Sequence, residues 1–145
     1  MNKWDERFLA LAEHIAKWSK DPSTKTGAVL VDAHRRILGI GYNGFARGVE
    51  DAPERLNDRP VKYKLTVHAE ANAILNASGN TRGGLMYLWP WPPCAPCAGL
   101  VIQAGIVQIM APKPTKEQRE RWGADFELMD HMFQEANVRL YQIEQ

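Results

Sequence analysis

Cysteine is nearly absent from this 145-residue chain, which holds only Cys94 and Cys97 in a Cys-x-x-Cys spacing. Neither can staple distant segments together, and in a reducing compartment such a pair points to metal or redox chemistry rather than a disulfide framework. Net charge is nearly absent too, with 18 Lys and Arg against 17 Asp and Glu. Proteins that grip DNA, RNA or anionic membranes draw affinity from many phosphate contacts, so a balance of +1 argues against a polymeric nucleic acid or a membrane surface as partner. No apolar run approaches the length of a transmembrane helix, and the N-terminal MNKWDERFLA carries charges inside its apolar pattern, unlike a secretion signal. A cytoplasmic location is expected. Internal repeats, low-complexity tracts and linkers are missing as well, so one domain spanning residues 1–145 is expected. What is present is ordinary: 45% hydrophobic and 24% charged residues suit a globular fold. A chain of this length buries about 70% of its unfolded surface and needs no staples.

Apolar residues recur at helical spacing from Asp5 to Ser19, including Phe8, Leu9, Ala12, Ile15 and Trp18, and Asp21-Pro22 should stop that helix. Gly27 to Val31 and Ile37 to Tyr42 read as a β-hairpin around a polar turn. Residues 43–67 form a long polar segment expected to be a loop, and loops of that length are usually functional. Further helices are expected over Val67 to Ala77, Cys94 to Gln103 and Lys116 to Ala136, the last broken near Gly123. Strands are expected over Leu85 to Trp89, Ile106 to Met110 and Val138 to Ile143. Strands alternating with helices favour parallel neighbours, so the last three strands should be parallel within one mixed five-stranded sheet. The fold class is then α/β, a three-layer α/β/α sandwich.

Three soft metal donors can be gathered: His68 in His68-Ala69-Glu70, and the cysteines of Pro93-Cys94-Ala95-Pro96-Cys97. Both clusters fall at expected helix N-termini, where the macrodipole favours thiolate. One imidazole and two thiolates suit Zn²⁺, one per chain, and leave its fourth position for water with a pKa near 7. A closed structural site would need His14, His34 or His131, each of which reads more simply as a surface or packing histidine. Glu70, two residues after His68, is placed to move protons without ligating the metal.

The His-x-Glu and Pro-Cys-x-x-Cys pair resembles the zinc-dependent cytidine deaminase superfamily. SKDPSTKTGAVLVD, GIGYNGFARGVED and VHAEANAIL, in that order, resemble its deoxycytidylate deaminase branch, with likeness from about Trp4 to Met110. The resemblance implies hydrolysis of dCMP to dUMP and ammonia: His68, Cys94 and Cys97 hold zinc, hydroxide on the metal adds to C4, and Glu70 shuttles protons to N3 and the leaving amine. Asn43 corresponds to a sugar-contacting asparagine, against the plainer reading of a turn residue in Tyr42-Asn43-Gly44. Ala69 and Trp91 join it as substrate-binding candidates. Lys20, Lys25, Gly44 and Arg47 are the phosphate-binding or regulatory candidates, and Arg55, Arg59, Lys62 and Lys64 are further cations on the same loops. The family also implies homo-oligomers, hexamers among them, and control by dCTP or dTTP through the GYNG loop.

Two stretches depart from that pattern. Ala46 replaces the proline of the family's NGFPRG, which puts regulation in doubt, and Trp89-Pro90-Trp91-Pro92 replaces smaller residues ahead of the cysteines. The tryptophans are candidates to wall the base pocket, against core packing for Trp89 and partial exposure for Trp91. Rival readings are a superfamily deaminase acting on another aminated base, nucleoside or nucleotide, a thioredoxin-like Cys-x-x-Cys redox protein, and a non-catalytic zinc module. An editing deaminase acting on a polymer would need a basic groove that the charge balance does not suggest.

Overall fold

A computed structural model describes residues 1–144. Its main sheet has five strands in the order β2-β1-β5-β6-β7: β1 (Gly27–Val31), β2 (Ile37–Tyr42), β5 (Leu85–Trp89), β6 (Gln108–Pro112) and β7 (Arg139–Ile143). β1 pairs antiparallel with both β2 and β5, whereas β5, β6 and β7 run parallel, as the alternation of strands and helices led us to expect. Helix α1 (Lys3–Ala16) covers one face with Phe8, Leu9 and Ala12 against Val29, Val31, Tyr87 and Met110. On the other face, α4 (Ala69–Leu75) and α5 (Ala95–Gln103) pack Ala69, Ala73, Ala98 and Val101 onto Ala28, Leu30, Met86 and Ile109. The sandwich has helices on both faces of its sheet.

Several sequence expectations shift. Helix α1 starts earlier, because Asn2 and Asp5 form a capping box, and ends at Ala16 rather than Ser19. Ser19 instead donates its hydroxyl to the Asn43 carbonyl at 2.8 Å, and Trp18, placed on the apolar face by periodicity, is 50% exposed and meets Tyr42 edge to face. The segment over residues 43–67 is not one loop. It contains β3 (Gly44–Phe45), α2 (Pro53–Leu56), α3 (Arg59–Leu65) and β4 (Thr66–Val67), and pairing of β3 with β4 closes the excursion at its base. Asp58 caps α3 by accepting the Val61 N–H, and prolines occupy the first turns of both short helices. Helix α6 (Lys116–Ala136) runs unbroken through Gly123. Its Thr115–Gln118 capping box and the buried Met129 and Phe133 outweigh the roughly 1 kcal/mol cost of an interior glycine. The strand expected at Ile106 to Met110 lies two residues later.

Helix α4 is seated by the backbone itself. A β-carbon on Gly41 would lie 2.4 Å from both the Ala69 carbonyl oxygen and the Ala73 nitrogen, and one on Gly39 would lie 2.4 Å from the Ala73 oxygen. Along the same contact, Asn72 donates to the Tyr42 carbonyl at 2.8 Å, Asn76 to Ile40 at 3.0 Å and the Ser78 backbone to Leu38 at 2.9 Å. These bonds occupy outward carbonyls of edge strand β2 and fix the height of α4 along it. Gly41→Ala is expected to destabilise the chain by about 3 kcal/mol, the upper range for overpacking, because the atoms in the way are backbone. Urea melts of the purified variant check this.

Candidate metal centre and active site

The ends of α4 and α5 meet at the carboxyl end of β5. His68 is the N-cap of α4 and Cys94 the N-cap of α5, and neither side chain caps its own helix. Both turn towards each other instead: His68 Nδ1 lies 3.5 Å from Cys94 Sγ and 3.3 Å from Cys97 Sγ. One donor atom from each residue lies within 4.8 Å of the others. Zinc–sulfur and zinc–nitrogen bonds of about 2.3 and 2.05 Å at a tetrahedral angle place sulfur and nitrogen about 3.6 Å apart, so the donors fit the ion. The other three histidines stay outside the cluster.

Their protonation suits a metal site. The Cys94 thiol is pulled down to about 5, chiefly by its hydrogen bond with Cys97, and with help from His68 that burial opposes. Cys97 is pushed up by the same bond and by burial, and contact with Cys94 raises His68. The three groups thus share protons that a divalent cation would displace. Beside them, burial pushes the Glu70 carboxyl up, although the His68 charge and a backbone N–H pull the other way. Glu70 is 7% exposed and contacts Cys97.

His68, Cys94 and Glu70 line a cavity of about 600 Å³, with Cys97 buried behind them. Trp89 and Trp91 are half-buried in its wall, where Tyr63, Trp122 and Phe126 add further rings. Arg59, Lys62 and Arg121 supply positive charge. Among the described residues neither arginine is engaged by a carboxylate. Lys62 is buried in an ion pair with Asp21 at 3.0 Å. The same Asp21 oxygen accepts the backbone N–H groups of Ser23 and Thr24, at 2.8 and 3.1 Å. Asn43 lines the cavity and also braces this loop, accepting the Thr26 N–H and donating to the Thr24 carbonyl, both at 2.9 Å.

Other sequence candidates lie elsewhere. Ala69 is fully buried under β2 and does not line the cavity. Lys20 pairs with Asp51 at 3.1 Å, and Lys25 donates to the Ser19 carbonyl. Gly44 in β3 and exposed Arg47 in the following turn are likewise absent from the cavity wall, as are Arg55 and Lys64. Sequence reading missed Asp21, whose Asp-Pro-Ser-Thr context is a side-chain turn signal. It also missed Arg121, Trp122, Asp125 and Phe126, which α6 brings to the cavity without any motif.

The family model for the cytidine and deoxycytidylate deaminase zinc-binding region matches residues 2–112. The chain belongs to the cytidine and deoxycytidylate deaminase family. An uncharacterised deaminase of Aliivibrio fischeri is 39% identical over 140 residues, covering 97% of this chain and 93% of the relative. Mouse deoxycytidylate deaminase is 43% identical over 114 residues, covering 74% of this chain, which spans 64% of that enzyme's length. The fold matches that of a cyanophage S-TIM5 dCMP deaminase, solved with dCMP and dUMP, with a TM-score of 0.77 at 20% identity and 99% coverage of each chain. Membership in this deaminase family makes the His68, Cys94 and Cys97 cluster a candidate zinc site. None of the helices among the described residues is long and apolar enough to cross a membrane.

Lys62→Met removes the ammonium from Asp21. A fully buried carboxylate left alone would cost about 3–5 kcal/mol, but two backbone donors remain, so the expected loss is about 2 kcal/mol. Burial tends to raise Asp21, but the Ser23 and Thr24 N–H groups and Lys62 together hold it below its ordinary value. Its stabilisation is therefore present above the unfolded carboxyl pKa of about 3.9 and lost as pH falls through the lower folded value. In urea melts the deficit of Lys62→Met should be constant from pH 7 to 5 and narrow below about pH 4.

Proposed function

We propose that this protein hydrolytically deaminates dCMP to dUMP and ammonia. The observation that carries the reading is the His68, Cys94 and Cys97 triangle set beside a buried glutamate in the wall of a cavity that has both flat aromatic and cationic surfaces. Zinc, when held by those three residues, supplies a water acidified to a pKa of about 7. Glu70, raised by burial, is suited to accept a proton, deliver it to N3 of the cytosine ring, and pass a further proton to the departing amine. The tryptophans and Tyr63 offer faces for a flat base, and the arginines offer planar donors for a phosphate. Asn43 keeps its oxygen committed to Thr26 and one amide hydrogen to Thr24, and has its second amide hydrogen at the wall for the sugar.

The test is ammonia release from dCMP, CMP, deoxycytidine, dCTP and aminated purine nucleotides. dCMP is expected to have the highest kcat/KM. If every cytosine nucleotide were inert and another aminated ring reacted, the substrate assignment would fall. Glu70→Gln is expected to retain one zinc per chain and lower kcat by about 10³, within the range for general acid–base catalysis. Full activity in that variant would falsify the role of Glu70.

The same reading extends, through the family resemblance, to a homo-oligomer, a hexamer among the options, that binds dCTP or dTTP through the Gly41-Tyr42-Asn43-Gly44 loop, with Lys20, Lys25, Gly44 and Arg47 as the candidate contacts. Light scattering during size-exclusion chromatography and dCMP saturation curves with each triphosphate check both points. A monomer whose curves no triphosphate alters would remove them and leave the catalytic assignment standing.

A further inference from the structure

Helix α5 begins in an unusual way. An N-cap residue normally turns its own oxygen back onto the first free N–H groups of the helix. The N-cap here is Cys94, whose sulfur is directed at His68. The N–H groups a capping side chain addresses belong to the second and third helical residues, here Pro96, which has none, and Cys97, so the Ala95 N–H needs an acceptor from elsewhere. The open end is served from another element: Asp125, in the middle of α6, accepts the Ala95 N–H through Oδ2 at 3.0 Å. Phe126, Met129 and Phe133 pack the same helix into the core beneath α5, so the carboxylate is presented from a rigid support. Asp125 also lines the cavity. It lies outside residues 2–112, the stretch the family model matches.

We propose that Asp125 is a positioning residue of the zinc centre: by accepting the first free N–H of α5, at Ala95, it holds the Cys94 to Cys97 turn at ligating distance from His68. Without that bond the first turn of α5 would lack a partner at its half-buried Ala95 N–H and would be drawn to satisfy it by another route. Cys94 and Cys97 sit at either end of that turn, so its movement changes both distances to His68. Partners that orient metal ligands typically account for a 10–100-fold difference in affinity.

The proposal rests on the zinc reading of the cluster, so wild-type protein is tested first by competition with a chromophoric chelator. Failure to bind one zinc per chain would overturn that reading before Asp125 is addressed. Three variants then separate hydrogen bond from charge. Asp125→Ala removes the acceptor and should weaken zinc binding 10–100-fold. Asp125→Glu keeps the charge but moves the acceptor by one methylene, and should lose a similar amount. Asp125→Asn keeps an acceptor oxygen in place without the charge, and should stay within about threefold of wild type. Cobalt substituted for zinc gives a second readout, since its d–d absorption reports the geometry of the thiolate site; the bands should shift in the alanine and glutamate variants and match wild type in asparagine. If the alanine chain does not fold, the contrast between Glu and Asn decides alone. Wild-type affinity and spectrum in Asp125→Glu, or a tenfold loss in Asp125→Asn, would overturn the proposal.

Discussion

Helix α4 lies on β2 so closely that β-carbons at Gly39 and Gly41 would collide with its backbone. The contact places Ala69 and Ala73 directly over the strand, and the amides of Asn72 and Asn76 lock onto strand carbonyls. The α4 part of the site inherits this seating. His68 and Glu70 occupy the end of α4, and a side chain inserted beneath the helix would lift both away from the cysteines. The close approach also explains why small residues dominate the buried face of so short a helix, which has little leverage of its own.

The second requirement is that two helix beginnings face one another. At each, the N-cap side chain is turned to the cluster rather than to its helix, and at α5 the carboxylate of Asp125 accepts the first free N–H. Around them the cavity is braced by polar groups: Asn43 and Asp21 between them make five hydrogen bonds, four to the backbone of Ser23, Thr24 and Thr26 and one to the Lys62 ammonium on α3. Such bracing holds the wall before any ligand arrives and reduces the ordering that binding demands.

How much of this was legible in the sequence depended on the range of the interaction. The large strands and helices announced themselves through periodicity, and the zinc cluster through two local motifs. The helices at Pro53 and Pro60 did not, because four- and seven-residue elements are shorter than the window in which periodicity can be read, although their prolines were a usable signal. Trp18 fell on an apolar stripe yet lies outside the helix, where that stripe no longer applies. Gly123 looked like a break because its local cost was visible and the compensating burial of Met129 and Phe133 was not. The part played by α6 at the site was beyond sequence reasoning altogether. Nothing around Asp125 indicates that its partner is the N–H of Ala95, thirty residues earlier.

That helix has a bearing on how the molecule can change. Glu70 and the candidate zinc ligands lie within residues 2–112, whereas Arg121 and Trp122 line the same cavity from beyond them. Part of the cavity wall is therefore written in a different stretch of the polypeptide from the candidate metal centre, and mutation can alter that part without rewriting the centre. A grafted α6 that retains Asp125 together with its apolar seam of Phe126, Met129 and Phe133 would bring a new wall to an old reaction centre.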